Sequence, residues 1–316
     1  MKKVIVTGAS GFIGYNVLKK LLSYNIEVIA IVREHSKNLY KLKDKKITII
    51  ECNLDNISML PQMIKDRDID TLYHFAWQGV FGDDLKKEST QIANLTATLT
   101  LIDVAAEMGI NTFIGAGSLH EQEAIVEMNE NKIINNMGIM YKTAKLAAHY
   151  MAKSKAGNLG IRFFWPIITN TYGEGENSGR LINTIIRKIF IGEVPLLSEG
   201  KQNYDFVHID DVANAFYLIG EMGVDGSNYI IGSGNTKPLK EYLQLVGDIA
   251  NYRNNSNIAL GFGRVKNNVI FLPKDSFDTH QLIKDTGFMP HISFEEGIRK
   301  TVDWIYDSNK ENKLID

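Results

Sequence analysis

Thr7-Gly8-Ala9-Ser10-Gly11-Phe12-Ile13-Gly14 is the stretch whose reading decides the fold. The apolar run Val4-Ile5-Val6 precedes it. After it, from Phe12 to Tyr24, come Ile13, Val17, Leu18, Leu21 and Leu22 at helical spacing. Strand, tight turn and helix in that order form the setting in which G-x-x-G-x-x-G holds a dinucleotide. Gly8 permits the turn, Gly11 lets the main chain approach a pyrophosphate, and Gly14 lets the helix pack close to the strand. The helix start offers N–H groups and a favourable dipole to the phosphates, so Ser10, Phe12 and Ile13 join the three glycines as expected cofactor contacts.

The same alternation continues outward. Strands are expected at 28–32, 47–50, 71–75, 111–114 and 160–164, and helices at 91–108 and 141–155. Continuous apolar strands separated by helices predict a parallel sheet covered on both faces. With right-handed crossovers this is a Rossmann-type, doubly wound α/β fold. Residues 1–170 are assigned to it. Residues 171–316 are assigned mainly to a smaller α/β substrate lobe, with 205–222 returning to the first part.

Composition narrows the class. Of 316 residues, 44% are hydrophobic and 23% charged, and the net charge is −2. Nothing in that balance points to nucleic acid or an anionic membrane as a partner. No apolar run approaches the ~20 residues of a membrane span. The one cysteine, Cys52, has no partner for an internal disulfide, which suits a reducing cytoplasm. No His/Cys cluster has metal-ligand spacing, so no metal is expected.

Two further patterns carry chemistry. The end of the second strand reads Arg33-Glu34-His35-Ser36-Lys37. An acid at this place serves the ribose 2′-hydroxyl of NAD, whereas an arginine suits the 2′-phosphate of NADP. Arg33, with Ser36 and Lys37 as further donors, favours NADP(H) over NAD(H). Downstream, Tyr141 and Lys145 stand four apart in Y-K-T-A-K, on one face of a helix. A free tyrosine titrates at about pH 10, and an adjacent ammonium favours its phenolate. The pair therefore reads as a proton-transfer group beside a nicotinamide.

The ordered set T-G-A-S-G-F-I-G (7–14), L-Y-H-F-A (72–76), Asn94, F-I-G-A-G-S (113–118), Y-K-T-A-K (141–145), N-T-Y-G-E-G (170–175) and Y-D-F-V-H-I-D-D-V (204–212) resembles the extended short-chain dehydrogenase/reductase family, in its nucleotide-sugar branch. The resemblance spans nearly the whole chain. It implies a catalytic group of Ser118, Tyr141 and Lys145, with cofactor contacts at Asn53, Leu54, Phe75 and Ala76. It implies sugar-nucleotide contacts at Trp77, Ser118, His120, Glu121, Trp165, Tyr204 and Arg264, with Arg180 and Lys266 as further basic candidates. A nucleotide-diphosphate sugar is the expected substrate, and a homodimer through 91–108 and 141–155 the expected assembly.

Departures shape the activity expected. Nucleotide-sugar 4,6-dehydratases place an Asp-Glu pair directly after their hydroxyl residue; here Leu119 and His120 stand there. Asn53 replaces an aspartate near the adenine, Trp165 an asparagine and Tyr204 an arginine. The expectation is NADPH-dependent reduction of a 4-keto (6-deoxy) sugar nucleotide for surface polysaccharide. The alternatives are a 4-epimerase with tightly bound NAD and a non-catalytic dinucleotide sensor. His208 is read as structural, and Asp210 as the cap of a helix starting near Asp211.

Overall fold

The computed structural model describes residues 1–43, 45–130, 138–266 and 270–313. The chain divides into two units. The first comprises Met1–Ile168, Val212–Ile231 and Thr279–Phe288, and the second Thr169–Asp211, Gly232–Asp278 and Met289–Asp316.

Up to Ile168 the elements are β1 (Lys3–Thr7), α1 (Phe12–Ser23), β2 (Glu27–Val32), β3 (Thr48–Glu51), the single turn α2 (Leu60–Met63), β4 (Thr71–His74), α3 (Glu88–Glu107), β5 (Thr112–Gly115), β6 (Gly117–Ser118), α4 (His120–Asn129), α5 (Ile139–Asn158), β7 (Arg162–Phe164) and β8 (Ile167–Ile168). The remainder contains β9 (Asn170–Tyr172), α6 (Leu181–Phe190), β10 (Asn203–Tyr204), β11 (Phe206–His208), α7 (Ile209–Met222), β12 (Ile230–Ile231), β13 (Lys237–Pro238), α8 (Leu239–Asn254), α9 (His280–Thr286) and α10 (Phe294–Lys313).

Six strands pair in parallel in the order β3-β2-β1-β4-β5-β7. Val4, Ile5 and Val6 of β1 have no exposed surface, as expected of a strand covered on both faces. The chain winds outward from β1 to β3 and then returns to β4 on the other side of β1. That reversal opens a crevice at the carboxyl ends of β1 and β4, where such sheets bind ligands. A second small parallel sheet, β12-β8-β6, begins just past β5. It holds Ser118 in register with Ile168.

Helix α5 carries Ala144, Ala148, Ala152 and Ala156, all buried and one per turn. These short side chains let it lie close to α3, whose Ala97, Leu101, Val104 and Ala105 are also buried. The close fit sets the depth at which the neighbouring Tyr141 and Lys145 enter the first unit.

Residues 120–129, for which no element was expected, form α4; His-Glu-Gln-Glu-Ala-Ile-Val-Glu-Met is rich in good helix formers. Two expectations are corrected here. Asp210 does not cap α7 but lies inside its first turn, its N–H donating to His208 Nδ1 at 3.3 Å. The segment that rejoins the first unit runs from Val212 to Ile231 rather than 205–222, and Thr279–Phe288 joins it. Asp205 stays in the second unit because its carboxylate accepts hydrogen bonds from Thr169 Oγ1 (3.0 Å) and the Ser233 N–H (2.8 Å).

The second unit has its own core. Ile182, Ile185, Ile186 and Ile189 of α6 meet Leu243 and Val246 of α8 and Ile298 and Val302 of α10. Two short pairings accompany it, β9 with β11 in parallel and β10 with β13 antiparallel.

Candidate active site

The glycine turn is built by close approach. Gly8 has φ +67, and a Cβ there would fall 2.7 Å from the Ala76 nitrogen on the neighbouring strand end. A Cβ on Gly14 would lie 2.3 Å from the Gly8 carbonyl oxygen, so α1 rests directly on the turn. Gly11 stands at the N-cap of α1 and brings no side chain of its own, leaving the helix start open to an anion.

A cavity of about 510 Å³ opens over this turn. Gly8, Ser10 and Gly11 line it from the β1 turn, Arg33 and Ser36 from the end of β2, and Leu54 from beyond β3. Phe75, Ala76 and Trp77 close it from the end of β4. Ser10 and Ser36 hydroxyls are 3.0 Å apart and tie the two loops together. Phe12, Ile13 and Gly14 form the first turn of α1 behind the lining. Asn38, Gln78, Val80, Phe81 and Asp84 also line the cavity. They lie in loops without a periodic pattern, and no signal in the sequence pointed to them.

Lys37 and Asn53, expected beside the cofactor, lie outside the cavity wall. Lys37 is exposed. Asn53 is occupied with Glu34: its Nδ2 donates to Glu34 Oε2 (3.0 Å), and its Oδ1 accepts the Glu34 N–H (3.2 Å). The one acid of the selector loop is thus held by an amide, while Arg33 faces the cavity. A backbone cradle that side chains would fill, an open helix start and an arginine at the far end together fit a nicotinamide dinucleotide.

The catalytic candidates gather past β4 and β5. The Lys145 ammonium donates to the Ala116 carbonyl (3.0 Å) and sits 3.7 Å from the centre of the Trp77 ring and 5.3 Å from that of Trp165. Cation–π attraction repays part of its dehydration. Burial lowers the Lys145 pKa to about 7, with the Glu121 carboxylate pulling the other way. Tyr141, one turn earlier, meets Trp77 edge-on at 6.2 Å and His120 edge-on at 5.8 Å. Trp77 is fixed by Gln91, whose Oε1 accepts its indole N–H at 2.9 Å. Asn94 braces the same loop through two bonds of 2.8 Å to the Gln78 backbone. Beneath it, His74 is bound between the hydroxyls of Thr7 (2.8 Å) and Thr98 (3.1 Å). Burial, with the nearby Lys145 charge, lowers its pKa to about 3.

Ser118 is half-buried at the end of β6, and its hydroxyl accepts the His120 N–H at 3.3 Å. His120 is exposed at the start of α4, its Nδ1 2.9 Å from Glu123 Oε2. Burial pushes the Glu123 pKa up, but His120 and Lys142 overcome this and hold it at about 2.

Glu121 and Trp165 are reassigned. Both were expected to face the sugar, yet Glu121 is 1% exposed and Trp165 5%. Glu121 Oε1 accepts the Ser118 N–H (2.8 Å) and the Trp165 indole N–H (3.1 Å), and Oε2 lies 3.0 Å from His149 Nδ1. The indole fills space that only glycines leave: a Cβ on Gly115 or Gly117 would come within 2.2 Å or 2.8 Å of it. His149, two turns after Tyr141 on the same face of α5, is a site residue that the sequence reading missed.

Tyr204 and Arg264 belong to the second unit. Tyr204 is half-buried against Phe206, with ring centres 5.1 Å apart. Arg264 is exposed, its backbone N–H bonded to the Leu197 carbonyl at 3.0 Å. Arg180 is paired with Glu176 at 3.4 Å, and Lys266 is exposed. His208 donates from Nε2 to Glu174 (2.9 Å), in keeping with a structural part. Among the described residues no group of three or more His, Cys, Asp or Glu could hold a metal ion, and no helix is long and apolar enough to cross a membrane.

Comparison with known proteins agrees with this geometry. The chain is 24% identical over 335 residues to the trifunctional UDP-glucose 4,6-dehydratase/UDP-4-keto-6-deoxy-D-glucose 3,5-epimerase/UDP-4-keto-L-rhamnose-reductase RHM1 of Arabidopsis thaliana. That match takes in 98% of this chain but only 48% of RHM1, so the chain spans about half of that relative's length. It is 26% identical over 306 residues to CDP-abequose synthase of Salmonella typhimurium, covering 94% of this chain and 96% of that one. Among solved structures, Bordetella bronchiseptica WbmF in complex with NADH superposes with a TM-score of 0.79 at 20% identity, over 99% of this chain and 94% of that one. Residues 4–232 match the model of the NAD dependent epimerase/dehydratase family. By this match and its extended short-chain dehydrogenase fold, the protein is an enzyme and belongs to the NAD dependent epimerase/dehydratase family.

Proposed function

We propose that this enzyme reduces a 4-keto sugar nucleotide, a 4-keto-6-deoxyhexose in the first instance, with NADPH. The observation that carries the reading is the selector loop: Arg33 lines the cavity while Glu34 is clamped by Asn53. A guanidinium that lines the cavity suits a 2′-phosphate, and a sequestered acid is poorly placed for a ribose hydroxyl. NADPH suits net reduction, because an epimerase returns its hydride to the same substrate. The dehydration acids are absent, with Leu119 buried and His120 turned to Glu123. Among relatives, RHM1 carries a keto-sugar reductase activity in its name.

NADPH, held by the glycine turn, Ser10, Arg33 and Ser36, supplies the hydride when bound. The chain's own residues do the rest. Ser118 Oγ donates to the carbonyl oxygen and fixes its position. Tyr141 delivers its phenolic proton to that oxygen as negative charge develops there. Lys145 stabilises the phenolate left behind, its charge strengthened by a dry surround of two indoles.

The epimerase reading rests on the family's name and on the same catalytic group. A panel of 4-keto-6-deoxy sugar nucleotides, followed by loss of NADPH absorbance, decides between them. Turnover with one or more panel members is expected. No NADPH oxidation with any of them, together with interconversion of UDP-hexoses without added cofactor, sinks the reductase in favour of the epimerase.

A further inference from the structure

We propose that Glu123 and Lys142 are positioning residues for Tyr141: a buried ion cluster between α4 and α5 holds the His120 imidazole against the Tyr141 ring, and so fixes the hydroxyl that moves the proton. The inference rests on the assignment of Ser118, Tyr141 and Lys145 as the reacting group. The cluster starts from residue spacing. Glu123 and Glu127 stand four apart on one face of α4, and Lys142 follows Tyr141 directly in α5. The Lys142 ammonium lies 2.7 Å from Glu123 Oε2 and 3.1 Å from Glu127 Oε1. Lys142 and Glu127 are each 4% exposed. A lysine is seldom buried so deeply unless its charge is paired, and removing one partner strands the other.

Tying two helices together does not require the next link. Glu123 Oε2, the oxygen bound to Lys142, is also 2.9 Å from His120 Nδ1. An exposed histidine beside an exposed acid would keep most of its freedom. Here the acid is itself held by a buried ammonium, so the imidazole is held with it. His120 is fixed at two further points. Its N–H donates to Ser118 Oγ at 3.3 Å, and its ring meets that of Tyr141 edge-on at 5.8 Å. The Tyr141 ring thus meets two rings, each with a brace of its own: the Trp77 indole, bound to Gln91, and the His120 imidazole, bound to Glu123. A phenol held in its reactive orientation needs no rearrangement before it gives up its proton.

The test uses Glu123→Gln in the full chain. Glutamine keeps the shape and leaves Lys142 its pair with Glu127, so Tm should stay close to wild type, but the imidazole loses its carboxylate. The kcat for NADPH-dependent reduction should fall by about tenfold, with NADPH affinity unchanged. Made in a His120→Ala background, Glu123→Gln should lower kcat no further, because it acts through the imidazole. A tie between helices alone would instead lower Tm and leave kcat in place. A second readout needs no turnover: with histidine and tyrosine selectively labelled, NMR should show a cross-peak between the ring protons of His120 and Tyr141, identified by its absence in His120→Ala. Glu123→Gln should remove it. Lys142→Met made together with Glu127→Gln, which strands no carboxylate at position 127, should remove it too. Retention of the cross-peak in either variant overturns the inference. So does a wild-type kcat in Glu123→Gln, or a loss of the same size when that change is added to His120→Ala. If the wild-type enzyme reduces no 4-keto sugar nucleotide, the functional proposal fails, while the ring contact still decides the part played by Glu123 and Lys142.

Discussion

The turn at Gly8–Gly14 and the cap at Ser118–Trp165 lie in the same unit but are built by opposite means. The turn works through what is missing: no side chain at Gly8, Gly11 or Gly14, so backbone meets backbone. The cap works through side chains drawn from distant parts of the chain, joined pair by pair from Tyr141 through Trp77, Lys145 and Trp165 to Glu121, which in turn holds Ser118 and His149. Backbone geometry binds any ligand of the right shape, whereas a packed side-chain cluster tunes one proton transfer. Substitutions in the two regions should therefore fail differently.

The largest effect is expected in the cap. Tyr141→Phe should lower kcat by about 10²–10⁴-fold with NADPH affinity unchanged, read by steady-state kinetics and cofactor titration. Unchanged turnover would remove Tyr141 from the chemistry. Lys145→Met should lose activity comparably yet raise Tm. The sign follows from linkage: Lys145 has the ordinary lysine pKa of 10.5 when unfolded, and burial lowers it to about 7 when folded. Between those values the unfolded chain binds the extra proton, so the wild type loses stability as pH falls from 10.5 towards 7. Methionine has no proton to bind, and its advantage in Tm should grow over the same interval. A Tm for Lys145→Met below wild type throughout that range would contradict it.

Next comes the turn. Gly14→Ala forces a methyl against the Gly8 carbonyl at 2.3 Å, where only backbone can yield. Overpacking of this kind costs about 1–3 kcal/mol, and NADPH affinity should fall with stability, in contrast to Tyr141→Phe. Gly11→Ala, whose Cβ would lie 3.1 Å from the same oxygen, should be milder in Tm. Equal loss at both positions would mean that the turn does not depend on this contact.

This contrast also explains what could be read from the sequence. A turn made of glycines at fixed spacing between a strand and a helix is local, so Gly8, Gly11 and Gly14 declare their function in eight residues. Tyr141 and Lys145 are nearly as plain, because one helix carries both. Glu121 and Trp165 meet across a separation of 44 positions in the chain, and only because Gly115 and Gly117 leave room. Both were legible as unusual residues at the site, but which way they faced was not. His149 stands at the spacing that continues Tyr141 and Lys145, and the signal Y-x-x-x-K-x-x-x-H was present, though a histidine on a helix says little until its partner is known. The loop at 78–84 holds no pattern and could not have been found.

Arg33→Ala comes third in size. A charge-assisted contact to phosphate is worth about 1.5–3 kcal/mol, so NADPH affinity should drop by roughly tenfold or more while NADH affinity stays the same. Equal loss for both cofactors would assign Arg33 to the cavity wall and leave the preference for NADPH without its main support.

Asn53→Ala is the smallest and the most discriminating, because it places a side-chain device at the backbone-built end. Asn53 touches Glu34 by two hydrogen bonds and lines no part of the cavity. Alanine removes both bonds and frees the carboxylate to swing. If the clamp keeps an acid away from the cofactor's 2′-position, release should weaken NADPH by like-charge repulsion and improve NADH by offering its ribose hydroxyl an acceptor. Each effect should be about threefold, the scale of a single exposed interaction of under 1 kcal/mol. The two shifts have opposite signs, so their ratio can be measured even where neither alone is large. A loose loop would weaken both cofactors together; only a released Glu34 separates them. Glu34→Gln in the Asn53→Ala background should then restore NADPH binding, since the amide keeps the side chain and removes the charge.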